Sequence, residues 1–294
     1  MAGTLWAVFT VTFLLMHAVP GGPFSNERVP PHGIADAMAA RYNLDLPLGQ
    51  QYLKMLGEYL RGDFGISFKM ADFSVNEVIG AGLPISATLG VLALAFALTL
   101  GMSAGIVSAV CRGSRLDFLL MSMATIGIAV PNFVVAGLVV ILFVFVWPIF
   151  PAGGWGSLRQ VILPALCLGA MFAAEIARLV RTGMLDVLHQ DYIRTAYAKG
   201  LSTRLVVLRH AMKGAMLPLV SFLGPAIAGI LTGSVVIEFV FAIPGLGHQF
   251  VQSALQNDYT VAMGLVMVYT ILLFGMNTLV DMAYTLLDPR VKLD

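Results

Sequence analysis

The chain is 294 residues long, 59% hydrophobic and only 11% charged, with a formal net charge of +1. That is too little polar surface for a soluble protein of this size and too little positive charge for a nucleic-acid partner, so the composition describes an integral membrane protein. Its two cysteines, Cys111 and Cys167, stand in or beside apolar runs without metal-ligating neighbours and read as packing residues.

Met1 to Val19 is an uncharged apolar run that, at about 1.5 Å per residue, only just reaches across a bilayer core. It lacks a basic leading region and a small-residue cleavage site before Pro20, so it reads as a first membrane helix rather than a signal peptide. His17, with no second ligand type near it, reads as a hydrogen-bonded helix residue. Pro20-Gly21-Gly22-Pro23 stops the helix, and Phe24 to Gly80 is polar enough to lie outside the membrane. Within that segment, Pro47 to Arg61 places Tyr52, Leu53, Leu56, Tyr59 and Leu60 on one helical face.

Four further uncharged runs are long enough to span: Ile85 to Val110, Phe118 to Trp147, Gly214 to Ile237 and Tyr259 to Val280. Another, Val161 to Leu185, is interrupted by Glu175, Arg178 and Arg181. The expected organisation is therefore a first helix over 1–23, an external loop with amphipathic helices over 24–80, and a five-helix core over 81–294. A charge at a helix centre facing lipid costs about 2.5 to 3.5 kcal/mol, so Glu175 and Arg178, three residues apart, are expected to form an ion pair on one face. Pro131, Pro164, Pro218 and Gly224-Pro225 predict kinked helices packed around a path. Gly229-x-x-x-Gly233 predicts a close helix approach, either within the chain or to a partner.

The long polar interval of the second half runs from Glu175 to Val220 and holds seven of the seventeen Lys and Arg residues. Its grammar is helix, turn, helix: Asp191 as cap of a short helix reaching Lys199, Gly200 as a left-handed terminator, and Ser202 as cap of the next helix. Further on, Glu238 leads into Phe241-Ala242-Ile243-Pro244-Gly245-Leu246-Gly247, a turn at membrane depth. Phe241, Pro244, Gly245 and Gly247 are its candidate external gate residues.

Asp191-Tyr192-Ile193-Arg194-Thr195-Ala196-Tyr197-Ala198-Lys199-Gly200-Leu201 resembles the Glu-Ala-Ala-x-x-x-Gly loop of ABC importer permeases. It follows the Asp-Tyr-x-Arg-Thr-Ala-x-Ala-Lys-Gly-Leu variant of the oligopeptide, dipeptide and nickel branch, without the Glu and with Leu217-Pro218 displaced as in the peptide members. The segments Ala18 to Phe24, Phe73 to Glu77, Pro244 to Gly247, Asp258-Tyr259 and Leu287 to Arg290 are similar to the same branch, closest to its oligopeptide members. The likeness runs from about Phe13 to Arg290.

This resemblance implies an all-α, type I ABC importer permease fold with about six transmembrane helices, in a bacterial inner membrane. It implies import of oligopeptides or dipeptides, with nickel or another small solute as the alternative cargo. Asp191, Tyr192, Arg194, Thr195, Ala196, Lys199 and Gly200, in a loop over 186–212, become the residues that couple to ATPase subunits. The implied partners are a second homologous permease, two cytosolic ATPases and an external peptide-binding protein received in part by the long external segment. ATP and Mg belong to the ATPases, and this chain is expected to bind no cofactor and no metal. The family usually carries arginines ahead of the first helix, so the start of this sequence is expected to be late or shortened.

With both termini cytosolic, eleven basic residues fall inside and six outside, which orients the chain. It contains no G-x-x-x-x-G-K-[ST], H-E-x-x-H or G-x-S-x-G pattern, and its five histidines are scattered, so neither a nucleotide site nor an intramembrane enzyme is supported. An ion-coupled secondary transporter or a channel is the rival class. It would ordinarily need ionisable residues in more of the spans and would have no use for a dedicated cytosolic helix pair.

Overall fold

The computed structural model describes residues 2–18, 42–70 and 73–287. The Pro20 to Pro23 helix stop and the Asp288-Pro289-Arg290 ending lie outside the described residues. Lipid offers no partner for backbone N–H and C=O groups, so each apolar run satisfies them within itself, as a helix. In chain order these are α1 (Ala2–Ala18), α2 (Leu48–Leu60), α3 (Val75–Val110), α4 (Arg115–Ala129) and α5 (Asn132–Val140), which continues into a π-helical turn, Ile141–Val146. Then come α6 (Leu158–Leu188), α7 (Asp191–Ala198), α8 (Thr203–Leu205) with a second π-helical turn Val206–Ala211, α9 (Met212–Ala215), α10 (Leu217–Val240), α11 (Leu246–Leu255) and α12 (Tyr259–Leu287). Among the described residues the one β-type pairing is an isolated bridge between Ile66 and Ser74.

Helices α3, α6, α10 and α12 are long and apolar enough to cross a bilayer, and the 17-residue α1 is a shorter apolar helix. The expected single span from Phe118 to Trp147 is a correction: α4 and the α5 segment form a pair bent by 106°. Pro131 has no N–H to donate and forces the residue before it out of the helical region, so Val130 is extended at φ −92°, ψ 124° and closes α4. Pro218 lies in the first turn of α10, where a missing N–H costs nothing, whereas Pro84, Pro164 and Pro225 are inside helices.

The backbone clusters into two compact units, Met1–Ser86 with Pro244–Phe274, and Ala87–Ile243 with Gly275–Asp294. In the first unit, Phe9 and Phe13 of α1 are buried against Tyr52, Met55, Leu56 and Tyr59 of α2 and Met263 and Met267 of α12. The predicted face of α2 is thereby corrected, because Leu53 and Leu60 are 68% and 81% exposed. Burial pushes the Tyr59 hydroxyl up, so this residue packs as a neutral aromatic edge-on to Phe9. His17 is hydrogen-bonded as expected, Nδ1 to the Phe13 carbonyl at 2.8 Å and Nε2 to Gln51 Oε1 at 3.2 Å.

Polar groups fix the loop of this unit. Ser74 and Glu77 form a reciprocal cap on α3: the Ser74 N–H donates to Glu77 Oε2 at 2.8 Å, and the Glu77 N–H to Ser74 Oγ at 3.2 Å. Between them, Asn76 accepts the Phe64 N–H at 2.9 Å and donates to the Gly62 carbonyl at 2.7 Å. Asp258, 2% exposed ahead of α12, accepts the Ser67 hydroxyl, the Phe68 N–H at 3.1 Å and the Val261 N–H at 3.4 Å. The Ser-Val-Asn-Glu and Asp-Tyr sequences are thus helix caps that also hold the 62–70 loop.

The second unit is built around α6, which packs on α4, α5, α9 and α10 and is buried along most of its length. Its neighbours come close enough to exclude a side chain. A β-carbon on Gly101 or Gly105 of α3 would stand 2.6 Å from the carbonyl oxygen of Ala173 or Ala177, and one on Gly183 of α6 2.5 Å from that of Ala215. A β-carbon on Gly229 of α10 would stand 2.7 Å from the Phe172 ring of α6 and one on Gly233 3.4 Å from Leu168, so the Gly229-x-x-x-Gly233 face serves packing within the chain.

Candidate functional site

Two residues past α6 the chain starts α7, with Gln190 rather than Asp191 at the cap position, φ −72° and ψ 150°. Asp191 is the first helical residue, and its carboxylate stands 3.7 Å from Arg194 in an exposed pair of little energetic weight. Ile193 and Ala196 are buried in the contact with the Val206–Ala211 turn, whose Val206 and Val207 are also buried. The Ala196 side chain therefore faces its own chain. The outward face consists of Asp191, Tyr192, Arg194, Thr195, Tyr197, Ala198, Lys199 and Gly200.

Gly200 ends the helix as expected, at φ +81°. Its N–H bonds the Tyr197 carbonyl at 2.9 Å and the Leu201 N–H bonds that of Ala196 at 3.4 Å, the paired hydrogen bonds of a Schellman cap. Nothing lies within 4 Å of where a β-carbon at Gly200 would be, so a side chain there meets only backbone strain. Ser202 takes the cap position of α8 with an extended backbone, but its side chain makes no capping bond, contrary to the sequence expectation.

The turn over residues 241–247, the candidate gate, divides between the two units. In one, α10 ends in the same paired cap, Ile243 N–H to Glu238 carbonyl at 2.8 Å and Ala242 N–H to Phe239 carbonyl at 3.2 Å, but the left-handed residue is Ala242 at φ +48°. The carbonyl of the buried Phe241 receives the Gly154 N–H at 2.9 Å, and a β-carbon on Gly153 would be 2.2 Å from it. In the other unit, Gly245 and Leu246 lie against Gly82 of α3, and the Leu246 N–H donates to Ser86 Oγ at 2.8 Å. Gly245 and Gly247 are buried and Pro244 is exposed.

The predicted intramembrane ion pair is also corrected. Among the described residues Glu175 and Arg178 make no ion pair; the bridge on α6 is that of Arg181, whose Nε and Nη2 donate to Asp117 at 2.8 and 2.9 Å. Asp117 is 6% exposed and also accepts the Ser108 hydroxyl and, at 2.9 Å, the Gly113 N–H. One carboxylate thus ties the end of α3, the turn after it, α4 and α6. Sequence reasoning missed this cluster; its signal was an acid in the first turn after Gly113-Ser114, sixty-four residues from a basic residue in an apolar run.

Residues 97–293 match the family described as binding-protein-dependent transport system inner membrane component. The chain belongs to this family. The permease is 41% identical over 291 residues to the oligopeptide transport system permease protein OppB of Escherichia coli K12, covering 98% of this chain and 95% of that one. It is 43% identical to OppB of Haemophilus influenzae with the same coverage, and 44% identical over 293 residues to the dipeptide transport system permease protein DppB of Bacillus subtilis, covering 100% and 95%. Among solved structures, the inward-facing MetNI methionine ABC transporter aligns with a TM-score of 0.60 at 17% identity, covering 70% of this chain and 94% of that one. An amino acid ABC transporter crystallised with histidines aligns at 0.54 and 16%, covering 71% and 94%. The fold is that of a multi-pass ABC importer permease, and α7 occupies the loop that the sequence resemblance marked for coupling.

Proposed function

We propose that this permease is one of two membrane subunits of an ATP-driven importer of short peptides, with two cytosolic ATPases supplying the energy and an external peptide-binding protein delivering the cargo. The reading is supported by the OppB and DppB relatives, whose names carry peptide transport, over nearly the full chain. The chain itself holds no nucleotide pattern and hydrolyses nothing; ATP and Mg sit on the partners, and both termini lie in the cytosol. Nickel or another small solute of the same branch is the alternative cargo.

The observation that carries the mechanism is α7. Its Ile193 and Ala196 lock it onto the bundle, its polar face with Tyr192, Arg194, Tyr197 and Lys199 points away, and it follows directly on α6. When the ATPases close on ATP they move α7 as a rigid lever, and α6, packed against α4, α5, α9 and α10, passes the motion to the spans. ATP thereby favours one global arrangement of the path, as population shift requires.

Reconstitution of the chain alone and with its partner subunits tests this. The chain alone is expected to show no ATPase activity, and the complex to import tri- or tetrapeptide in an ATP-dependent manner. Hydrolysis by the purified single chain, persisting beside an ATPase-dead control, would contradict the reading.

A further inference from the structure

Two faces of α6 are not fully buried, and they differ in chemistry. On one, Leu166, Ala170 and Ala173 border, with Phe96 and Phe143, a cavity of about 340 Å³ that is lined almost wholly by apolar groups. On the opposite one stand Glu175, Arg178, Thr182 and Asp186. At 3.6 residues per turn these four fall within an arc of about 80°. Glu175 is half-buried and the other three are exposed. None of their side chains has a hydrogen-bond or ion-pair partner among the described residues. Arg181, beside the stripe, is committed to Asp117.

A face with this composition does not belong against lipid. Each unpaired charge at membrane depth costs about 2.5 to 3.5 kcal/mol there, and Glu175 lies about 9 Å further into the span than Arg181, at 1.5 Å per residue. The stripe is about 16 Å long, the length of about five residues of extended chain. Its charges alternate, acid, base, acid, with a hydroxyl between the last two. That pattern meets a zwitterion carrying a row of main-chain donors and acceptors.

We propose that Glu175, Arg178, Thr182 and Asp186 form a wall of the cytosolic half of the transport path, meeting the charged ends and main chain of a short peptide in extended form. The assignment rests on the peptide-import reading above. Arg178 and Glu175 hold the deepest positions and face the terminal carboxylate and ammonium of the passing peptide. Thr182 and Asp186 continue the polar track to the cytosol.

The test uses the complete transporter in inside-out vesicles, in a Cys111→Ser, Cys167→Ala background. Single substitutions Glu175→Cys, Arg178→Cys, Thr182→Cys and Asp186→Cys are compared with Leu166→Cys and Ala170→Cys, using a membrane-impermeant thiol reagent with and without saturating tetrapeptide. The stripe positions are expected to react, with peptide slowing Glu175→Cys and Arg178→Cys at least about fivefold, while Leu166→Cys and Ala170→Cys stay unreactive. Unreactive Glu175→Cys and Arg178→Cys, as on a face sealed by the second permease, would overturn the assignment. Reaction at a rate indifferent to peptide would overturn it too. Peptide import by the parent transporter is measured in the same vesicles, so a failure of the cargo reading shows there and a failure of the stripe shows in the labelling alone.

Discussion

The two compact units are held together by different means. The unit of Met1–Ser86 and Pro244–Phe274 relies on side chains that hold loop backbone, Asp258 on residues 68 and 69 and Asn76 on residues 62 and 64, around an aromatic cluster. The unit of Ala87–Ile243 has one such carboxylate, Asp117, at one end, and otherwise relies on small residues, with Gly101, Gly105 and Gly183 bringing backbones together around α6. The contrast follows from the solvent. An irregular loop near water exposes backbone groups that a carboxylate or amide can satisfy, while in lipid the hydrophobic drive between helices vanishes and close van der Waals contact replaces it.

Adding bulk to the helix contact should be the most damaging change. Gly105→Leu forces a side chain onto the Ala177 carbonyl and Val180, where overpacking costs about 3 kcal/mol. A marked fall in the melting temperature of the detergent-solubilised protein is expected, and an unchanged one would mean that α3 and α6 do not cross there. Asp258→Ala should cost somewhat less, about 2 kcal/mol, by removing a helix cap and leaving the Ser67 and Phe68 donors unmatched. Hydrogen exchange should then rise in residues 64–70 and 258–263 and not along α6; a uniform rise would erase the distinction between the units. The smallest effect should come from Ala242→Gly. Ala242 sits at φ +48°, where a β-carbon strains the backbone, so glycine is expected to stabilise by about 0.5 kcal/mol, read as a small rise in melting temperature.

Much of this is legible in the sequence. Hydropathy located the apolar helices, and the Gly200 cap follows from a glycine placed after a short amphipathic helix. Ala242 shows the limit, since the same cap forms there without the residue that announces it. Pro131 was read as a kink, but whether a proline kinks a helix or folds it back by 106° depends on what receives the freed chain. The charges on α6 were paired by proximity in sequence, Glu175 with Arg178, whereas the fold brought Asp117 to Arg181 from sixty-four residues away. Ala196 belongs to the stretch that the resemblance marks for coupling, and only the packing of α7 on the Val206–Ala211 turn shows that its side chain is turned inward.

The central claim is that α7 is a rigid link between ATP hydrolysis and the path, and Gly200→Val tests it most directly. A β-branched residue at φ +81° costs about 1 to 2 kcal/mol of backbone strain without touching any neighbour, so it should distort the cap and leave the bundle standing. The measurement is peptide imported per ATP hydrolysed by the reconstituted transporter. A variant present in the membrane at normal level should show a clear fall in that ratio, whereas a ratio equal to that of the parent would contradict the coupling role of α7.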